Sequence, residues 1–418
     1  MSLQLGWTPL EITKRAMHLA NRFVASMAVL ALFAGPISLA LAAEASAAPP
    51  LGVNYETGNG MDQLNCDGAN AAQITTDMAQ LKSIGAKWVR IEASTTAESG
   101  LPRSPACPKL APLQGLRNLL KGVESAQARP LIVLLVDQYD SAAREPYHTW
   151  LDQLLAEAPQ SAAFEVGNEE NLSQSTEGYK GAPPGGYPYS WRFNATDFGS
   201  SDRLGVCPKD LTKAGDLDRA VSSYVAWLAD TYAAIKAKRP RASVVIGGLS
   251  SWQAQCWTQK LGQHGAYRYA DAIAYHPYGA TPSEAVATLD VFQPIVKSWP
   301  KHLDIWITEF GFTTGSGSSH AATEQIKASD LDQTYRLLSV RVNSPVLYYT
   351  ARDWPLTTAQ WKQQCSYAPC VLDKPGSNPG NIPGTERDVS GSGLFEQIDG
   401  HLVQEPAEKA FAAAARAH

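Results

Sequence analysis

From Pro50 onward, short apolar runs alternate with segments of helical spacing, and this alternation narrows the folds open to the chain more than any other feature. Leu51–Tyr55, Lys87–Ile91, Pro130–Val136, Ala162–Gly167, Ser243–Gly248, Asp271–Tyr275, Asp304–Thr308 and Pro345–Thr350 read as strands. Most are β-branched and aromatic runs of the length expected for strands buried on both faces, as in a parallel sheet. Ala71–Ile84, Leu113–Val123, Tyr147–Ala156, Leu217–Ala237, Pro282–Val296 and Ala321–Val340 carry the spacing of amphipathic helices. Only the fifth connection, around Ser251–Gly265, shows no clear period. Eight strands, each followed by a helix, are the repeat of an α/β (β/α)8 TIM barrel, and residues 49–418 are long enough for one with insertions. A doubly wound open sheet is the competing arrangement, but it does not need eight consecutive units.

With 418 residues the chain can bury a full core. The formal net charge of -5 leaves no basic surface for phosphate backbones, and there is neither a Gly-rich phosphate loop nor a Cys-x-x-Cys pair. Nucleic acid is therefore not an expected partner. The 11 Trp and 16 Tyr suit stacking on sugar rings and suit a large core equally well.

Residues 1–48 have the order of a secretory signal: Lys14, Arg15 and Arg22, then an apolar stretch from Phe23 to Leu41 broken by Gly35-Pro36, then the small-residue sites Ala40-Leu41-Ala42 and Ala45-Ser46-Ala47. Met17 offers an alternative start with a shorter basic region. An uncleaved anchor is the rival reading, since the stretch approaches membrane-spanning length. The Gly-Pro break and the Ala-rich end favour cleavage, which implies a periplasmic or secreted protein and no membrane contact afterwards. All six cysteines (Cys66, Cys107, Cys207, Cys256, Cys365, Cys370) follow this segment, so disulfides are expected, with Cys365–Cys370 the nearest pair and Cys207–Cys256 another candidate. No His lies at metal-ligand spacing from any of them.

Two of the strands end in a carboxylate. Phe164-Glu165-Val166-Gly167-Asn168-Glu169 closes the fourth, and Ile305-Trp306-Ile307-Thr308-Glu309-Phe310-Gly311 the seventh. Where barrel strands end, their last side chains emerge into the cleft that houses the chemistry of this fold, and a pair of carboxylates there points to general acid/base work.

This set of residues resembles the clan A retaining glycoside hydrolases, the 4/7 superfamily. Asn168-Glu169 matches the clan's acid/base signature, Thr308-Glu309-Phe310-Gly311 its nucleophile signature, Arg90 its second-strand arginine and His276-Pro277-Tyr278 its sixth-strand His-x-Tyr. Tyr348-Tyr349-Thr350-Ala351-Arg352-Asp353, with Gly393-Leu394-Phe395 and Asp399-Gly400, is similar to the closing segment of family 39 and its endoglycosidase-like relatives. The chain departs from the clan at Glu170, where the usual motif is Asn-Glu-Pro, and at Gly167, where Trp or Tyr is common.

The resemblance implies a β-glycosidase that works by double displacement, with Glu309 as nucleophile and Glu169 as acid/base. That chemistry needs two carboxyl groups roughly 5–5.5 Å apart, one ionised and one protonated, so their surroundings must differ. Arg90 and Tyr278 are expected beside Glu309, Asn168 at the sugar 2-hydroxyl, and His276 in support. Each has a plainer structural reading: Glu309 and Arg90 as an ordinary ion pair, His276 as a satisfied core histidine, Asn168 as a chain-turning residue. Glu165 and Glu170, flanking the motif, read as structural. Asn171-Leu172-Ser173 and Asn194-Ala195-Thr196 fit the glycosylation pattern.

Long insertions are expected after strands four and eight, Gly178–Phe193 and Trp354–Arg387, both aromatic-rich and both on the catalytic face. Their aromatics suit stacking on sugars or packing within the loops themselves, and Trp354, beside the eighth strand, is the one expected to stack on a sugar. Trp88 and Trp306 lie within strands and belong to the core or barrel wall. The mechanism requires no metal and no cofactor; a carbohydrate is the expected partner and a monomer the expected state. A transglycosylase would use the same residues, and a catalytically silent carbohydrate-binding barrel would be expected to lack one of the two glutamates. The sugar, the linkage and endo or exo action depend on loop geometry.

Overall fold

The computed structural model describes residues 49–55, 68–95, 110–136, 143–171, 211–251, 254–312, 324–352, 393–398 and 401–416. Eight strands close into a barrel in chain order: β1 (Leu51–Asn54), β2 (Trp88–Ser94), β3 (Arg129–Leu135), β4 (Ala163–Asn168), β5 (Val244–Ser250), β6 (Ala272–His276), β7 (Asp304–Phe310) and β8 (Val346–Tyr348). Neighbours pair in parallel throughout, and β1 closes on β8 through Leu51 opposite Val346 and Val53 opposite Tyr348.

The helices between them are α1 (Ala71–Ser83), α2 (Gln114–Ser125), α3 (Arg144–Glu157), α4 (Leu211–Lys238), α5 (Ala254–Gln263), α6 (Pro282–Lys297) and α7 (Glu324–Ser339), and α8 (Pro406–Arg416) completes the ring. Two of their starts are chemically marked. Asn70 caps α1 by accepting from the Gln73 amide, and Thr281 caps α6 by accepting from the Glu284 amide, with Pro282 in the first turn. Each then buries one stripe, as with Ile74, Met78 and Leu81 on α1 and Leu116, Leu119, Leu120 and Val123 on α2.

Two separate cores result. The larger lies between the sheet and the helices. The smaller fills the barrel itself with Trp88, Leu131, Ala163, Val245, Ala272, Ala274, Trp306 and Leu347. Trp88 and Trp306 meet edge to face at 5.1 Å, and the Arg129 guanidinium covers the Trp88 ring at 4.1 Å. Both tryptophans are thus core, as their place within strands implied. Side chains two apart on a strand share a face. Asn54, Arg90, Glu165, His276 and Thr308 therefore stand one step above Gly52, Trp88, Ala163, Ala274 and Trp306, and a polar layer rests on an apolar floor.

The structure also differs from the sequence reading in places. The fifth connection holds α5 and a short 3-10 turn, Ala266–Tyr269. Helix α5 buries Cys256, Trp257, Thr258 and Leu261, a stripe that its polar and small residues obscure in the sequence. Helix α4 starts at Leu211, ahead of the expected Leu217. An antiparallel hairpin, β9 (Phe395–Ile398) with β10 (His401–Gln404), precedes α8, and neither hairpin nor helix was anticipated. The buried Lys327 of α7 ties this region down by donating to the Gly393 carbonyl at 2.8 Å and to Glu405 at 2.6 Å. Asn171 is 4 % exposed, and its amide exchanges both hydrogen bonds with the Ser250 backbone, so it is a packing residue and no surface glycan acceptor. Trp354, both insertions, Asn194 and every cysteine except Cys256 lie outside the described residues. Among those described, no helix is long and apolar enough to cross a membrane.

Candidate active site

The polar layer opens where the strands end. Its centre is Arg90, 3 % exposed, whose five N–H donors are all used. Nε donates to Glu165 Oε2 at 2.8 Å and Nη2 to Glu165 Oε1 at 3.1 Å; Nη2 also donates to Asn168 Oδ1 at 2.7 Å. Nη1 donates to Asn54 Oδ1 at 2.8 Å and to Glu309 Oε1 at 2.7 Å. Burial works against the guanidinium charge, but the Glu165 and Glu309 carboxylates outweigh it and raise its pKa further. A fully satisfied planar fork of this kind fixes the positions of four side chains from β1, β4 and β7 at once.

Glu309 is 7 % exposed and is held from both sides. Arg90 engages one oxygen, and the Tyr278 hydroxyl donates to the other at 2.8 Å. Burial first, then the charges of Glu309 and Glu169, keep the Tyr278 phenol well above its ordinary pKa, so it remains a donor. Glu309 follows Thr308, whose side chain already faces the barrel interior, so plain alternation would turn Glu309 outward. The register between β7 and β8 shifts between Ile307 and Phe310, and this irregularity re-aims the carboxylate into the cleft.

Glu169 reaches the site by a different device. Its φ is +53°, a left-handed conformation rare for a residue with a Cβ, and its N–H donates to the Gly248 carbonyl at 2.7 Å. Two residues earlier Gly167 stands at φ +85°, where an L side chain is strained. The chain therefore turns sharply just past β4 and presents Glu169 beside His276.

His276 is fully buried, and both of its ring nitrogens are engaged: Nδ1 lies 2.9 Å from Glu169 Oε1 and Nε2 lies 3.0 Å from Thr308 Oγ1. The proton positions follow from the network. Thr308 has one hydroxyl proton and gives it to Glu165 Oε1 at 3.2 Å, while Glu165 also accepts from the Gly248 amide at 2.7 Å. Thr308 must therefore accept from His276 Nε2–H, which leaves a single proton to share between Nδ1 and Glu169. Burial disfavours the imidazolium, but the charges of Glu309 and Glu169 and the Glu169 hydrogen bond outweigh it and raise the His276 pKa. The ring fits only because residue 248 is glycine: a Cβ there would stand 1.9 Å from Nε2.

One oxygen of Glu169, one of Glu309 and a ring nitrogen of His276 all lie within 4.8 Å of one another. Three such donors would suit a metal, but here they are committed within the protein, with Arg90 already balancing Glu309 and both His276 nitrogens occupied. The arrangement is a pair of carboxylates in unlike settings, one against a guanidinium and a phenol, the other against an imidazole. That is the layout for charge and proton chemistry.

The sequence-expected residues Arg90, Asn168, Glu169, His276, Tyr278 and Glu309 converge here; Trp354 falls outside the described residues. Asn54, Glu165 and Thr308 were not assigned to the site from the sequence. Glu165 was legible as a charge inside an otherwise apolar strand, a placement that demands a partner. Asn54 and Thr308 carried no such signal, since their roles depend on strands distant in the chain: Asn54 Nδ2 donates to the Thr308 carbonyl at 2.9 Å.

No protein-family model matches the chain, and no curated protein matches its sequence. Solved structures do match in fold. A family 39 glycoside hydrolase from the gut symbiont Bacteroides cellulosilyticus WH2 superposes with a TM-score of 0.52 at 15% identity, covering 88% of this chain and 64% of that one. The GH5_18 protein from Streptomyces cattleya, solved in complex with GlcNAc, gives 0.56 at 15% identity over 88% and 80%. A monomeric beta-xylosidase from Caulobacter crescentus CB15 gives 0.52 at 13% identity over 88% and 68%. The chain thus spans under two thirds of the first of these proteins and shares with all three the (β/α)8 barrel fold.

Proposed function

We propose that the protein is a retaining glycosidase that cleaves β-linked oligo- or polysaccharides. The observation that carries this reading is the approach of Glu169 and Glu309 within 4.8 Å at the ends of β4 and β7, each in its own electrostatic setting. A gap this short suits direct attack by one carboxylate on the anomeric carbon; an inverting pair would need roughly 6.5–9.5 Å to admit a water.

Glu309 is the nucleophile. Arg90 and Tyr278 occupy one lone pair on each of its oxygens and orient the carboxylate toward the sugar. Glu169 protonates the departing oxygen with the proton it shares with His276. Once the glycosyl-enzyme has formed, Glu309 has lost its charge and Glu169 with His276 accepts a proton from the incoming water. Arg90 fixes the Asn168 carbonyl, so the Asn168 amide NH2 is turned away from the guanidinium and serves as donor to the sugar 2-hydroxyl. The three solved relatives described above are named as a glycoside hydrolase, a GlcNAc complex and a xylosidase, which supports a carbohydrate substrate without selecting the sugar. The basic, apolar and small-residue order of residues 1–48 supports export to a periplasm or the medium, and the spacing of the cysteines supports disulfides there.

The test is incubation of the protein and its Glu309→Ala and Glu169→Ala variants with a panel of β-linked polysaccharides, reading released reducing ends and, by proton NMR, the first anomer formed. Release of β-anomer by wild type that is lost in Glu309→Ala is the expected result, with azide restoring turnover to Glu169→Ala on an aryl glycoside whose leaving group departs without a proton. First release of α-anomer would overturn retention. Sugar binding without release would favour a silent binding barrel, and release only when an acceptor sugar is present would favour a transglycosylase.

A further inference from the structure

Glu170 stands where the clan's motif has proline, and the mechanism above gives it no task. Glu170 is nevertheless 3 % exposed, and among the described residues its Oε1 has no hydrogen-bond partner. Leaving a buried carboxyl half-satisfied is costly, so its placement calls for a reason. The side chain folds back over Gly167: a Cβ built on that glycine would stand 2.6 Å from Glu170 Oε1 and 3.0 Å from its Cγ. The Asn168 backbone amide lies close enough to the carboxyl to favour its charged form. Glu170 therefore bridges the turn from Gly167 at φ +85° through Asn168 to Glu169 at φ +53°.

We propose that Glu170 is a positioning residue, a buried clamp whose contacts with Gly167 and the Asn168 amide hold the left-handed turn that aims Glu169 at His276. This rests on the reading of Glu169 as the acid/base. Without the clamp Glu169 relaxes toward ordinary backbone angles, and its carboxyl leaves the 2.9 Å contact with His276 Nδ1.

The clamp works in its neutral form. Burial pushes the Glu170 carboxyl up to about 8, opposed only by the nearby Asn168 amide. The titratable groups around it are acidic or phenolic: Glu165 and Glu169 on its own segment and Tyr224 of α4, whose hydroxyl donates to the Val166 carbonyl at 2.7 Å. Ionisation would place a second negative charge next to Glu169 in the chain, and among the described residues no cation pairs with it. Glutamine is then a faithful mimic of the working state, and alanine is not.

The experiment compares wild type, Glu170→Ala and Glu170→Gln, after thermal melts confirm that each is folded, on the polysaccharide that wild type hydrolyses best. At pH 6, Glu170→Ala is expected to lose about 10–100-fold in kcat with KM little changed, as a misplaced proton donor requires, while Glu170→Gln stays within about threefold of wild type. Wild type should also show an alkaline loss of kcat near pH 8 that Glu170→Gln lacks. Crystal structures give a reading independent of turnover: Glu169 keeps its positive φ in Glu170→Gln and abandons it in Glu170→Ala. An unchanged kcat in Glu170→Ala, equal damage from both substitutions, an alkaline loss that persists in Glu170→Gln, or an unmoved Glu169 in Glu170→Ala would each overturn the proposal. If wild type hydrolyses nothing, the glycosidase reading fails, and the crystal structures still decide whether Glu170 sets the turn.

Discussion

Arg90 and His276 share the polar layer by dividing its charge. Arg90 gathers four acceptor side chains, Asn54, Glu165, Asn168 and Glu309, and spends every donor on them, which leaves Glu309 no freedom to rotate. Tyr278 closes the other side of the same carboxylate. Tyr278→Phe removes one charge-assisted hydrogen bond, a contribution of about 1.5–3 kcal/mol, without changing the ring's packing. We expect kcat/KM to fall by roughly 10–150-fold, and the melting temperature to fall as well because the bond is already made in the free protein; steady-state kinetics and a thermal melt check both. Glu170 gives a pH dependence of stability at the same scale. Its pKa is raised in the folded state, so its neutral form stabilises the fold below about pH 4.5, and that contribution is lost as pH rises toward about 8. At about 1.4 kcal/mol per pH unit of displacement the effect is at most roughly 5 kcal/mol. Denaturant midpoints measured from pH 5 to pH 8 should fall more in wild type than in Glu170→Gln.

At the scale of elements, the site depends on three departures from regular strand geometry. The β7–β8 shift turns Glu309 inward, the turn after β4 turns Glu169 toward its partner, and a register shift between Ile246 and Leu249 in β5 brings Gly248 beneath His276. Gly248→Ala would put a methyl inside the imidazole ring's space, so the ring must move and the Thr308–His276–Glu169 proton path breaks. The expected result is a loss of about 100-fold in kcat, with the His276 ring resonances displaced in a nitrogen NMR spectrum. Unaltered resonances and full activity would mean that the backbone yields instead of the ring.

For the molecule as a whole, the barrel separates stability from chemistry along its axis. Trp88 and Trp306 form a dry floor at the N-terminal side, and the ionised network rests on it two residues higher on the same strands. Trp306→Ala would open a large cavity in that floor, at a cost of about 3–5 kcal/mol. The guanidinium midpoint should fall accordingly, while kcat per folded molecule stays within about threefold of wild type, because Thr308 and Glu309 are held from above by Arg90, Tyr278 and His276. A proportionate collapse of kcat would show that floor and site are coupled.

Sequence alone determined the barrel, because parallel strands buried on both faces must be apolar throughout, and eight such runs with intervening helical stripes leave few other packings. Carboxylates at the ends of two buried strands also made Glu169 and Glu309 conspicuous against their surroundings, and the resemblance to clan A glycoside hydrolases implied Arg90, Asn168, His276 and Tyr278 beside them. Tertiary structure alone decided which polar groups share protons and charge. The partnership of Thr308 with His276, the grip of Glu165 on Arg90 and the contact of Asn54 with the guanidinium join residues 32 to 75 positions apart in the chain. No local pattern encodes such contacts, because barrel closure, register shifts and two left-handed backbone positions set them, and each is a property of neighbouring strands acting together.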